Sequence, residues 1–154
     1  MATSPADPRA YPDRPFLAVS AAIVRGSKFL VVRRARQPAL GLYTLPGGAV
    51  EAGEALADAV TREVREETGL EIEPAGLAGY REAVIRDAAG RPERHFVILC
   101  FAARSASGEP ALNDELSDAR WIEPAELGSL RTTDGLAEIV SAAFAMLKQA
   151  DIKS

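Results

Sequence analysis

Gly48 to Leu70 reads GAVEAGEALADAVTREVREETGL, and this stretch decides how the rest of the chain is read. It sets Glu63, Glu66 and Glu67 at the end of a predicted helix, behind a glycine-rich turn, LPGG, over Leu45 to Gly48. At about 100° per residue, positions i, i+3 and i+4 share a helix face, so these carboxylates crowd together. That crowding is unfavourable unless cations sit between them. On a helical wheel with Leu56 at zero, Val60 falls near +40°, Val64 near +80° and Glu66 near −80°. Glu63 and Glu67 fall about 20° either side of zero. They therefore continue the inward stripe that Leu56 and Val60 begin, while Glu54, Asp58, Thr61, Arg62 and Arg65 take the solvated side. A carboxylate turned inward must shift its pKa, find a partner or bind a metal. Oxygen donors with no His or Cys nearby favour a hard divalent ion, Mg²⁺ or alternatively Mn²⁺. The plain alternative is a charged helix end with Asp58–Arg62 as an i,i+4 pair. The glycine turn and the inward register count against it.

On the N-terminal side, Phe16 to Val24 and Lys28 to Arg34 are strand-like runs around a turn at Gly26–Ser27, which predicts a hairpin. Leu42 to Leu45 is a short strand leading into the Gly47–Gly48 turn. The helix runs from about Ala55 to Thr68, with Gly69 placed as its C-terminal cap. Beyond it, Leu77 to Arg86 and Arg94 to Ala103 read as strands around the DAAGRP loop, and Ala119 to Ile122 as another. Pro124 starts a helical turn through Leu127. A last helix, capped by Thr132 or Thr133, has one apolar face of Leu136, Ile139, Val140, Ala143, Phe144 and Leu147. Mixed strands with two helices predict a sheet covered on both sides. Residues 1–15, with prolines at 5, 8, 12 and 15, read as a mobile arm or extended strap ahead of a domain over 16–150.

The 154 residues fit one domain with a real core, and 47% hydrophobic content is that of a soluble globular chain. A net charge of −4 argues against a nucleic-acid polymer as partner. Small nucleotides remain compatible with it, their phosphates being met by metal ions and a few arginines. No apolar run approaches the ~18 residues of a membrane span, and the N-terminus lacks the basic-then-apolar order of a secretory signal. Cys100 is the sole cysteine and lies in an apolar run, HFVILCFAA, where it reads as a small core hydrophobe. A lone cysteine fits a cytoplasmic protein. His95, the sole histidine, reads as a half-buried strand position, with a substrate contact as the alternative.

Gly48, Glu54, Arg62, Glu63, Val64, Glu66, Glu67, Gly69 and Leu70 match the fixed positions of the Nudix box, GX5EX7REUXEEXGU with U aliphatic. The chain resembles Nudix hydrolases over roughly Phe16 to Phe144, and among them the small bacterial ADP-ribose pyrophosphatases. The resemblance implies an α+β fold, an α/β/α sandwich around a mixed sheet. It also implies metal-dependent hydrolysis of a nucleoside diphosphate linked to another moiety, ADP-ribose or a similar nucleotide sugar being the leading substrate. A nucleoside triphosphate pyrophosphatase that removes damaged nucleotides is the alternative. A non-catalytic nucleotide sensor is a third reading, and the intact box speaks against it.

By the same resemblance Glu63, Glu66 and Glu67 with the Gly48 carbonyl are the expected metal ligands, and Glu54 and Arg62 steady the box. Glu63, Glu66 and Glu115 are expected to act in catalysis. The general base is Glu63 or comes from a later loop, ALNDELSDARW, through Glu115 or Asp114. Arg33, Arg34 and Arg36 are expected to meet the substrate's far phosphate or ribose, and Tyr43, Tyr80 or Phe96 to stack an adenine. Arg86 stands sixteen positions after the box, where one ADP-ribose subgroup has proline and dinucleoside-polyphosphate enzymes have tyrosine. The apolar C-terminal helix either covers the core or joins a homodimer.

Overall fold

The structure is a computed structural model and describes residues 7–153. β1 (Phe16–Arg25) and β2 (Lys28–Arg34) form the expected hairpin, but they pair only at its base, Val24 opposite Phe29 and Arg25 opposite Lys28. Beyond that point each strand takes other partners. β3 (Tyr43–Thr44) and β7 (Leu116–Ile122) flank β2. β1 takes β6 (Pro92–Arg104) in parallel along one edge and β4 (Gly47–Ala49) antiparallel along the other. β5 (Glu73–Arg86) closes the far side against β6. The outcome is a seven-stranded mixed sheet, ordered β3-β2-β1-β6-β5, with β4 on β1 and β7 on β2. Between β1 and β2 it opens.

β1 lies at the centre, and Ala18 to Ile23 are buried without a break. A strand covered on both faces has to read as continuous hydrophobic sequence. Alternation then sorts its side chains. Val19, Ala21 and Ile23 pack with Leu30 and Val32 against Ala59, Val60 and Val64 of α1 (Leu56–Thr68). Ala22, Phe29, Val31 and Cys100 pack on the other face against Leu136, Ile139, Val140 and Ala143 of α2 (Leu136–Lys153). The apolar face of α2 is thus spent on the core. Cys100 is fully buried there and accepts a 3.2 Å hydrogen bond from the Ser20 hydroxyl, and burial pushes its thiol pKa up. No helix among the described residues is long and apolar enough to cross a membrane.

Several local expectations are corrected. Gly47 and Gly48 lie in β4, paired with Ser20 and Val19, and do not form a free turn. Three residues are too few to show a strand period, and the glycines conceal the close packing that defines it. β5 starts at Glu73 rather than Leu77 because register shifts between Pro74 and Gly76 and between Leu77 and Gly79 break its alternation. β7 starts at Leu116, so the later half of ALNDELSDARW is strand. Thr133 does not cap α2: its hydroxyl donates to Thr44 Oγ1 at 2.8 Å, and Gly135, at φ 82°, precedes the helix. Residues 7–15 cross the β5–β6 end as a strap. There the Tyr11 N–H donates to the Glu93 carbonyl at 2.7 Å and the Tyr11 hydroxyl to Asp87 at 2.9 Å. Residues 1–6 of the expected arm lie outside the described residues.

Candidate active site

The helix that carries the acids ends where Gly69 adopts φ 73° and donates its N–H to the Arg65 carbonyl. Its register is the one the wheel predicts. Glu67 is 5% exposed, the Glu63 side chain 14% and that of Glu66 57%. Arg62 departs from the solvated side. Its Nε and Nη2 grip Glu54 in a bidentate pair at 2.7 and 2.9 Å, and Nη2 also reaches the Ala49 carbonyl at 3.0 Å. Nη1 donates to Glu63 at 2.9 Å and to Glu66 at 3.2 Å. A long guanidinium can fold back over its own helix, so a wheel angle misjudges its burial. The pairing holds the Glu54 carboxyl down at about 2 and raises the Arg62 pKa. No Asp58–Arg62 pair forms among the described residues.

β4 brings backbone against this cluster. The Gly47 N–H donates to Glu67 Oε2 at 3.3 Å. A Cβ at Gly47 would lie 2.0 Å from the Val19 carbonyl oxygen, and one at Gly48 2.3 Å from Glu63 Oε2. The two obstacles differ in kind. Gly47→Ala collides with backbone that cannot swing aside, and we expect a loss of about 3 kcal/mol in denaturant unfolding. Gly48→Ala displaces a side chain, so the fold survives and turnover falls; equal stability losses in the two variants would contradict this.

A loop after β6 completes the acidic end. Ala111 and Asn113 donate their N–H groups to the carbonyls of Thr68 and Glu67 at 2.7 and 3.1 Å, using acceptors that the helix end leaves free. The Glu115 N–H bonds to Asn113 Oδ1 at 3.0 Å and the Glu115 carbonyl accepts from Ala35 at 2.8 Å, which fixes Glu115 beside the helix acids. Asp114 pairs outward with Arg36 at 2.8 Å. Burial first, then the charges of Glu115 and Glu63, pushes the Glu67 carboxyl up to about 8. Burial likewise raises Glu63.

Glu63, Glu67 and Glu115 line one end of a cleft of about 740 Å³ that opens between β1 and β2. Arg34 and Arg36 line it too. The Arg34 Nε donates to the Pro38 carbonyl at 2.6 Å, and its charge faces Glu67 and Glu115. Arg33 and Tyr43 do not line it, which corrects the expectation for both. Arg33 instead lies over the Tyr43 ring and donates from its Nε to Ser117 Oγ at 2.9 Å, which holds it outside the cleft. Tyr43 is 5% exposed, donates its hydroxyl to Asp118, and lies under the guanidinium groups of Arg33 and Arg120. Tyr80 is exposed and does not line the cleft, and neither does His95. Phe96 does line the cleft, with its ring 6.1 Å from that of Phe16. Arg81, Arg94, Thr132 and Asp134 line it as well. No local signal in the sequence marks these four: strand register brings Arg81 and Arg94 there, and the segment before α2 brings Thr132 and Asp134.

The donors suit a hard divalent ion, being carboxylates and a backbone carbonyl. Glu67 is a buried acid with one long hydrogen bond, which a cation would relieve. Among the described residues, however, no three or more His, Cys, Asp or Glu side chains already converge to hold a metal. Arg62 engages Glu63 and Glu66, so the cage read from the helix face is not preformed.

A family model described as NUDIX domain matches residues 14–143. The ADP-ribose pyrophosphatase of Methanocaldococcus jannaschii is 34% identical over 109 residues, covering 71% of this chain and 62% of that protein. The chain therefore spans somewhat less than two thirds of that relative's length. Among solved structures, a MutT NUDIX hydrolase from Burkholderia pseudomallei is similar with TM-score 0.69 and 30% identity, over 82% of this chain and 97% of that one. The NUDIX domain of Shewanella oneidensis NrtR, complexed with ADP ribose, is similar with TM-score 0.68 and 25% identity, over 93% and 94%.

Proposed function

The chain belongs to the NUDIX family, and from that premise we propose that it hydrolyses the pyrophosphate bond of a nucleoside diphosphate linked to a sugar, ADP-ribose or a close relative. The observation that carries this is the cleft itself, which brings Glu63, Glu67 and Glu115 together with Arg34, Arg81, Arg94 and Phe96. Glu63, Glu66, Glu67 and the Gly48 carbonyl would hold Mg²⁺, or Mn²⁺, which supplies charge neutralisation at the pyrophosphate and acidifies water.

The chain's own residues do the rest. Arg62, itself clamped by Glu54, orients Glu63 and Glu66. Glu115, beside Glu67 in the cleft, takes the proton of the attacking water in this reading. Arg34 and Arg36 meet the phosphate oxygens or the ribose, and Phe96 offers an apolar platform for the base. A net charge of −4 supports a small nucleotide over a nucleic-acid polymer. The buried, lone Cys100 accords with a cytoplasmic setting.

A panel of ADP-ribose, NADH, NTPs and dNTPs with Mg²⁺, scored for products, tests the proposal. AMP released from ADP-ribose alone is the expected result. Nucleoside monophosphate with pyrophosphate, released only from a triphosphate, would replace it with the triphosphatase reading. Tight binding without turnover would replace it with a sensor.

A further inference from the structure

Arg81 is an expensive residue for this fold. Its Nε is buried without a hydrogen-bond partner, and its Nη1 is spent on the backbone carbonyl of Asp134 at 2.9 Å. No carboxylate pairs with it among the described residues. A half-buried guanidinium with an orphaned donor destabilises a protein unless something else uses it. Met or Leu at this position would fill the space at lower cost.

Its place gives the use. Arg81 lies opposite Ile98 on β6, Ile98 opposite Ala18 on β1, and Ala18 opposite Ala49 on β4, so these residues share one face of the sheet. Three strand steps of about 4.8 Å put the Arg81 backbone roughly 14 Å from Ala49, which adjoins Gly48 and the acids. The arginine side chain covers part of that distance and leaves room for a sugar ring between guanidinium and pyrophosphate. Arg81 and Asp134 both line the cleft, and the Asp134 carboxylate has no partner among the described residues. Donors beside an acceptor suit hydroxyl groups, each of which both donates and accepts. An adenine edge could meet the same donors and acceptor, so what favours the sugar is position. The apolar surface for a base lies elsewhere, at Phe96 against Phe16.

We propose that Arg81, with Asp134, is the specificity-determining pair for the sugar attached to the diphosphate, binding its vicinal hydroxyls at the end of the cleft away from the helix acids. This rests on the nucleotide-sugar reading above, and binding is therefore measured apart from turnover. Calorimetry with ADP-ribose and with ADP, which lacks the second sugar, is run at saturating Mg²⁺ in a Glu66→Gln background, which slows hydrolysis so that the added nucleotide stays whole. ADP-ribose is expected to bind about ten- to a hundredfold more tightly than ADP. Adding Arg81→Met brings that ratio to near unity with a melting temperature equal to or above the parent's. Adding Asp134→Asn, which keeps the backbone carbonyl, lowers the ratio partway.

No preference for ADP-ribose in the parent would overturn the proposal, as would a preference that survives Arg81→Met. Equal weakening of both ligands would assign Arg81 to the nucleoside instead. A lower melting temperature with the preference intact would make it structural. A wild-type chain that binds ADP-ribose preferentially yet never hydrolyses it defeats the enzymatic reading and leaves the sugar site standing.

Discussion

Replacing Glu66 by glutamine is expected to lower the proposed pyrophosphate hydrolysis by roughly 10²- to 10⁴-fold with no change in the melting temperature. Fold and function separate cleanly at this position. The Glu66 side chain is 57% exposed and makes one 3.2 Å contact with Arg62, which a glutamine oxygen can keep. What disappears is a negative charge beside Glu63 and Glu67, and with it part of the attraction for a divalent ion. Steady-state rates across a Mg²⁺ titration, with thermal melts alongside, check both halves. A variant that works at the wild-type rate in excess Mg²⁺ would remove Glu66 from the ligand set.

The second large effect concerns the metal-free protein and Glu67. Its carboxyl is pushed from 4.5 up to about 8, by burial first and then by the charges of Glu115 and Glu63. The Gly47 N–H and Arg34 pull the other way and lose. Between those two values the folded chain keeps a proton that the unfolded chain releases, so stability falls as pH rises. The contribution is fully present below 4.5 and is lost as pH passes about 8. At about 1.4 kcal/mol per pKa unit this amounts to a few kcal/mol at most. Glu63, raised chiefly by its own burial, adds in the same direction. In EDTA the midpoint of urea unfolding should therefore drop steadily between pH 5 and 8. Glu67→Gln should flatten the profile and exceed the wild type at the upper end, and Mg²⁺ should restore the wild type there. A wild-type profile that is flat in EDTA would refute the buried-acid argument.

Both predictions begin from a helical register that the spacing of apolar residues makes legible. A helix repeats every 3.6 residues whatever surrounds it, so Leu56 and Val60 are enough to turn Glu63 and Glu67 inward and leave Glu66 on the flank. The burial of the acids follows that order. Arg62 escapes the same logic because its flexible stem lets the guanidinium reach Glu54 and Ala49 across the turn. The strands are legible in number and rough extent. β4 is not, because its identity rests on how closely Gly47 approaches Val19, which is a relation between segments.

The same contrast separates the arginines. Arg33, Arg34 and Arg36 look alike in sequence, but β2 sends Arg33 over Tyr43 and Arg34 toward Glu67 and Glu115. Which face meets the cleft depends on what covers the other, and that is set by β3, β7 and α1 together. Tyr43 has the right chemistry for stacking and the wrong place, held in the core by Asp118. Arg81, Phe96 and Asp134 come from β5, β6 and the approach to α2, far apart in the chain and joined only by strand pairing and the docking of the segment before α2.

By itself the sequence determined the family and the helix face that carries the acids, because motif spacing and helical period are local properties. Tertiary structure alone decided which arginines and aromatics enter the cleft, that Glu115 and not Asp114 joins the helix acids, and that Arg81 faces the same cleft. Those choices rest on strand register and loop docking, which link residues dozens of positions apart and leave no mark on the segments that they join.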